Sequence, residues 1–156
     1  SSNCLSQALI PQWALAGGRN ATTSLINDAD EKQKLLVAIR DRIAQYGTPE
    51  NVVISRHSPK PEFEGMTLAE IATHNNSTAE ESAIELFMES DGGVILHTYS
   101  ERDVETIAQS SIISVGSDGS SLSTEGPLSS GKPHPRNFGT FPRFIRKFCR
   151  EKNLMP

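Results

Sequence analysis

Only two cysteines occur in the 156 residues, Cys4 and Cys149, close to opposite ends of the sequence. Thiols so far apart make neither a disulfide framework nor a zinc cluster. They fit free cysteines in a reducing, cytoplasmic compartment. No apolar run approaches the roughly 20 residues that a membrane-crossing helix needs. No basic-then-apolar leader opens the sequence, so no membrane partner is expected. Basic excess is missing as well: 15 Lys and Arg stand against 19 Asp and Glu, a net charge of −4. That balance points away from nucleic acid and anionic surfaces. Four histidines are present and no two of them form an H-x-H pair. Asn-x-Ser/Thr triplets start at Asn20, Asn75 and Asn76, in polar stretches that produce such triplets by chance. The sequence opens on SSNC without a Met and stops at NLMP, directly after an amphipathic run. This is the pattern expected of a piece cut from something longer.

What is present reads as an α/β chain. PQWALAGG is a short apolar turn closed by Gly17 and Gly18. In INDADEKQKLLVAIRDRIAQYG, Asn27 or Asp28 can cap a helix whose first turn is acidic. Leu36, Ile39, Ile43 and Tyr46 recur along it at helical spacing. NVVIS, residues 51–55, has the β-branched content of a short strand. Pro59 and Pro61 keep the following loop irregular. Thr67-x-x-Glu70 and Thr78-x-x-Glu81 are two capping boxes, each predicting a helix. Ile84, Phe87 and Met88 form the buried face of the second of these. GGVILHTY reads as a strand, and Ser100 as the cap of a helix with Val104, Ile107 and Ala108 turned inward. SIISVG is expected to be a further strand. A Ser/Gly/Pro loop follows from Ser120 to Pro135, long enough to be functional. In GTFPRFIRKFCREKN, Thr140 is the expected cap of a last helix with Phe141, Phe144, Ile145 and Phe148 on one face. Strand–helix–strand order predicts parallel pairing. The chain is too short for a whole (β/α)8 barrel, which takes about 250 residues.

The sharpest candidate for chemistry is Asp118, carried on ISVGSDG between Ser117 and Gly119. In α/β folds the carboxyl ends of strands form the active face, and a carboxylate there serves as general base or metal ligand. The competing interpretation is a plain Asp-Gly turn. Downstream, His134, Arg136 and Arg143 fall within a short stretch, and Pro133 and Pro135 stiffen the backbone presenting Arg136. A guanidinium held in this way suits bidentate binding of a carboxylate.

VGSDG followed by a Gly/Ser loop, KPHPR, FGTFPR and an amphipathic helix resembles the N-acyl-D-amino-acid deacylases (D-aminoacylases) of the amidohydrolase superfamily. LIPQWALAGG resembles the family's segment after its seventh barrel strand, EGMTLAEIA its G-K-T-L-x-E-I-A segment, and YSERDVETI its M-S-E-E-D-V segment. The pieces run in the family's order over nearly the whole chain. The resemblance implies the C-terminal part of a metal-dependent-hydrolase TIM-like barrel plus its inserted small α/β subdomain. Residues 1–25 would follow barrel strand seven, residues 26–99 would be the inserted subdomain and return, and residues 100–156 would be the last strand, active-site loop and following helix.

The activity implied is hydrolysis of the amide of N-acyl-D-amino acids to a D-amino acid and a carboxylate, assisted by one or two zinc ions. Asp118 matches the family's proton-transferring Asp and, in the full-length parent, is also a candidate metal ligand. Arg136 matches the Arg that binds the substrate α-carboxylate. Tyr99 matches a pocket position where the family usually has Met, and Cys4 matches a pocket Ser. The family's other metal ligands lie upstream, and none of His57, His74, His97 and His134 aligns with a metal position. Zinc is therefore expected in the full-length parent and not in this chain alone. An N-acyl amino acid is the expected small-molecule partner. An exposed barrel edge would favour oligomers. Two other interpretations remain open: a cyclic amide or ureide hydrolase of the hydantoinase or dihydroorotase kind, and a non-catalytic α/β module derived from the family.

Overall fold

The computed structural model describes residues 2–129 and 134–154. The chain divides into two units, residues 1–98 and 99–156. In the first, a three-stranded sheet has the order β1 (Ser2–Cys4), β3 (Gly93–Leu96), β2 (Val52–Arg56). Both pairings are antiparallel, with Asn3 opposite Val94 and Val53 opposite Ile95. This corrects the parallel pairing expected from strand–helix–strand order. Two helices, α5 (Leu68–Asn75) and α6 (Ala79–Glu89), separate β2 from β3, so the chain returns in the opposite sense. The glycines at the start of β3 allow the close pairing. A Cβ at Gly92 would lie 2.5 Å from the Arg56 carbonyl oxygen, and one at Gly93 2.6 Å from Ser55 Oγ.

The helices of this unit are set by their ends. The short α1 (Leu5–Leu9) and α2 (Gln12–Leu15) lead into α3 (Gly18–Asn27), a helix that was not among those expected. In α4 (Ala29–Gln45), Asp28 proves to be the cap, accepting from the amides of Asp30 and Glu31 at 3.0 Å each. The fully buried stripe of α4 is Leu35, Ile39 and Ile43, while Leu36 and Tyr46 pack at its margin. Both capping boxes form. Thr67 and Glu70 exchange hydrogen bonds at 2.7 and 3.1 Å, and Thr78 and Glu81 at 3.0 and 3.2 Å. Asn76 takes the left-handed conformation (φ 51°) that closes α5. The core between sheet and helices contains Leu35, Ile39, Ile54, Leu68, Ile71, Leu86 and Val94, each at most 1% exposed. Every such side chain contributes roughly 1.5–3 kcal/mol by leaving water.

The second unit begins with α7 (Glu101–Ala108), capped reciprocally by Ser100 and Asp103. Val104 and Ile107 are exposed rather than turned inward, 38% and 48% respectively. Residues 111–116 do not form the expected strand. A β-branched run needs a neighbouring strand to take its backbone hydrogen bonds, and the described residues of this unit contain no strand. Among the described residues, a 3₁₀ turn, Gly126–Leu128, interrupts the following loop. The last helix, α8, runs Arg136–Phe144, so Thr140 lies inside it and is not its cap. Thr140 Oγ1 instead donates to the Arg136 carbonyl at 3.1 Å. Pro142 sits within the helix, and Ile145–Glu151 continues as a π-helix. Of the four apolar side chains expected on one face, Phe148 is buried and Phe141 and Ile145 are about half exposed. No helix among the described residues is long and apolar enough to cross a membrane.

Candidate functional site

The second unit brings Asp118 and Arg136 together. Oδ2 of Asp118 lies 3.1 Å from Nη1 of Arg136, with the carboxylate side chain 87% exposed and the arginine 26%. Each partner is placed by local chemistry. Asp118 has φ 46°, in the left-handed region, which Asp tolerates better than most residues. Gly119 follows because a Cβ there would meet Asn137 Oδ1 at 3.2 Å and Asn137 Cα at 3.3 Å. The Gly119 amide donates to Ser117 Oγ at 3.3 Å and the Ser120 amide to Asn137 Oδ1 at 2.6 Å.

On the arginine side, Pro135 already has helical angles (φ −53°, ψ −20°) and Arg136 is the first residue of α8. The Arg136 amide donates to His134 Nδ1 at 3.1 Å. The Nε of Arg136 is buried and has no hydrogen-bond partner among the described residues. The guanidinium thus engages one carboxylate oxygen through Nη1. Beside it opens a cavity of about 420 Å³ lined by His134, Pro135, Arg136, Gly139, Thr140, Pro142, Arg143 and Arg146. Elsewhere in the unit Glu101 pairs with Lys147, and that hydrogen bond, followed by the lysine's charge, holds the Glu101 carboxyl below its usual range.

The remaining candidates belong to other segments of the chain. Tyr99 is 70% exposed at the start of the second unit. Cys4 belongs to the first unit, exposed at the end of β1 opposite Gly93. Pro133, expected to stiffen the loop, lies outside the described residues. His57 is buried with Nε2 3.0 Å from the Leu86 carbonyl oxygen, a structural placement. His74 packs edge-on against Phe63, and His97 is exposed just past β3. Among the described residues no three His, Cys, Asp or Glu side chains are grouped to hold a metal ion. Asp118 offers one carboxylate, and its nearest charged neighbour is a guanidinium that repels cations. The described residues therefore do not make up a zinc site. Asn137, which joins the two halves of the pair, had no signal in the sequence. It stands out only once the chain is folded.

No protein-family model matches the chain. It is 30% identical over 117 residues to D-aminoacylase of Alcaligenes xylosoxydans xylosoxydans, covering 75% of this chain and 22% of that enzyme. It is 33% identical over 106 residues to N-acyl-D-glutamate deacylase of the same organism, covering 68% of this chain and 20% of that enzyme. Among solved structures it is similar to N-acyl-D-glutamate deacylase from Bordetella bronchiseptica, crystallised with zinc and a phosphonate mimic of the tetrahedral intermediate. That similarity has a TM-score of 0.57 and 30% identity over 72% of this chain and 22% of that one. A crystal structure of D-aminoacylase matches with TM-score 0.56 and 26% identity over 80% of this chain and 28% of that one. The chain thus spans between 20% and 28% of the length of these relatives.

Proposed function

From the premise that the chain carries a segment of the D-aminoacylase and N-acyl-D-glutamate deacylase family, we propose that it supplies the proton-transfer and carboxylate-recognition half of an N-acyl-D-amino-acid deacylase active site. The observation that carries this is the 3.1 Å contact between Asp118 and Arg136. Two groups with complementary tasks on one amide substrate meet there, beside a cavity of about 420 Å³. In this reading the substrate's α-carboxylate takes the Arg136 guanidinium in place of Asp118. Asp118, released from Arg136, accepts a proton from the attacking water and returns it to the leaving amine. The order of the motifs supports derivation from the later part of the family's barrel. Zinc, which the Bordetella relative holds, would depend on residues beyond those described here.

The test is turnover of N-acetyl-D-amino acids by the protein encoded by the full reading frame. Asp118→Ala should abolish hydrolysis while substrate binding persists. Activity within about tenfold of wild type would exclude Asp118 as the base. A parallel panel of hydantoins and dihydroorotate, if hydrolysed in preference, would replace the deacylase reading.

A further inference from the structure

We propose that Asn137 is the positioning residue of this site: its carboxamide fastens the turn bearing Asp118 to the start of the helix bearing Arg136. The side chain bridges the two segments with both ends. Oδ1 accepts from the Ser120 amide at 2.6 Å, and Nδ2 donates to the His134 carbonyl at 2.9 Å. The partners fix the orientation of the amide, because an N–H requires the oxygen and a carbonyl requires the nitrogen. The Asn137 backbone amide also donates to the His134 carbonyl, at 3.0 Å.

Gly119 completes the joint. A side chain there would be pressed against Asn137 at 3.2–3.3 Å, so the glycine lets the turn come close enough for the 2.6 Å bond. Asn137 does not need to touch substrate. It acts through Asp118, which is otherwise highly exposed and, among the described residues, ion-paired to Arg136. The closest small polar residues do not reproduce the contact set. Aspartate loses the donor to His134 and adds a negative charge next to Asp118, and serine lacks the second polar atom. The catalytic role of Asp118 rests on the deacylase reading, but its placement by Asn137 does not.

The experiment is nuclear magnetic resonance on the ¹⁵N-labelled chain, following the Ser120 amide and the Arg136 Nε–H signal. Wild type, N137A, D118N and the double variant form a cycle. N137A should accelerate exchange of the Ser120 amide at least tenfold. D118N should shift the Arg136 signal in the Asn137 background and by less than a third as much in the N137A background, where the contact is already loosened. Unchanged Ser120 exchange, or an undiminished D118N shift, overturns the proposal. G119A provides the same loosening by steric pressure and decides the matter should N137A fail to fold. In the active enzyme, N137A should lower kcat about tenfold and leave KM within about threefold, because Arg136 keeps its place. If the enzyme hydrolyses no N-acyl-D-amino acid, the functional reading fails and the resonance cycle alone decides the positioning.

Discussion

Replacing Asp118 by Asn should tighten the binding of an N-acyl-D-amino acid rather than weaken it. At rest, Oδ2 of Asp118 lies 3.1 Å from Nη1 of Arg136. A ligand carboxylate must therefore take the guanidinium from a carboxylate already present. The Asp118 side chain is 87% exposed, which places the pair among solvent-screened ion pairs worth about 0.2–1 kcal/mol. Removing the competitor should strengthen carboxylate binding by about 1.4- to 5-fold. Arg136→Gln should do the reverse and more strongly. A charge-assisted contact worth roughly 1.5–3 kcal/mol is lost, which weakens binding about 10- to 150-fold. The assay is calorimetric titration with a hydrolysis-resistant ligand, N-methanesulfonyl-D-alanine, and with its primary amide as the ligand lacking the carboxylate. The amide should respond to neither substitution. Weaker binding of the acid to D118N would refute the competition. Equal weakening of acid and amide by R136Q would refute the assignment of Arg136.

Three further outcomes are expected. Asp28→Ala removes the side chain that accepts from two amides at the start of α4 and should cost about 1 kcal/mol, measured by urea unfolding. Ile71→Ala empties a fully buried site in α5 and should cost roughly 2–5 kcal/mol in the same assay. Glu70 and Glu81 have carboxyl groups held below their usual 4.5, first by the backbone amides of Thr67 and Thr78 and then by the threonine hydroxyls. Their folded values are depressed, so this stabilisation is present above pH 4.5 and is lost as pH falls through the folded values. Thermal unfolding of E70Q/E81Q should accordingly depend less on pH below that value than the wild type.

Local signals proved the most readable part of the sequence. The Thr67 and Thr78 boxes formed as spaced, and Asp28 took one of the two capping positions left open. These depend on groups within three residues of one another, which the sequence displays directly. What depended on distant partners was not readable. The run at 111–116 has strand composition but no strand beside it, and β1 has no strand composition yet pairs with β3. The antiparallel sense was missed although both capping boxes between β2 and β3 were legible, because the expectation of parallel pairing presumes a simple strand–helix–strand crossover. At the site, Asp118 and Arg136 were conspicuous as charges beside Gly and Pro. Asn137 was not, because its importance lies in bridging two segments that only folding brings together.

The most direct measurement is a crystal structure of the protein encoded by the full reading frame, bound to a phosphonate analogue of an N-acyl-D-amino acid. The account predicts the analogue's α-carboxylate on the Arg136 guanidinium, with Asp118 turned from the guanidinium to within hydrogen-bond reach of the phosphonate oxygens. An analogue whose carboxylate lies elsewhere, with Asp118 still paired to Arg136, would contradict it.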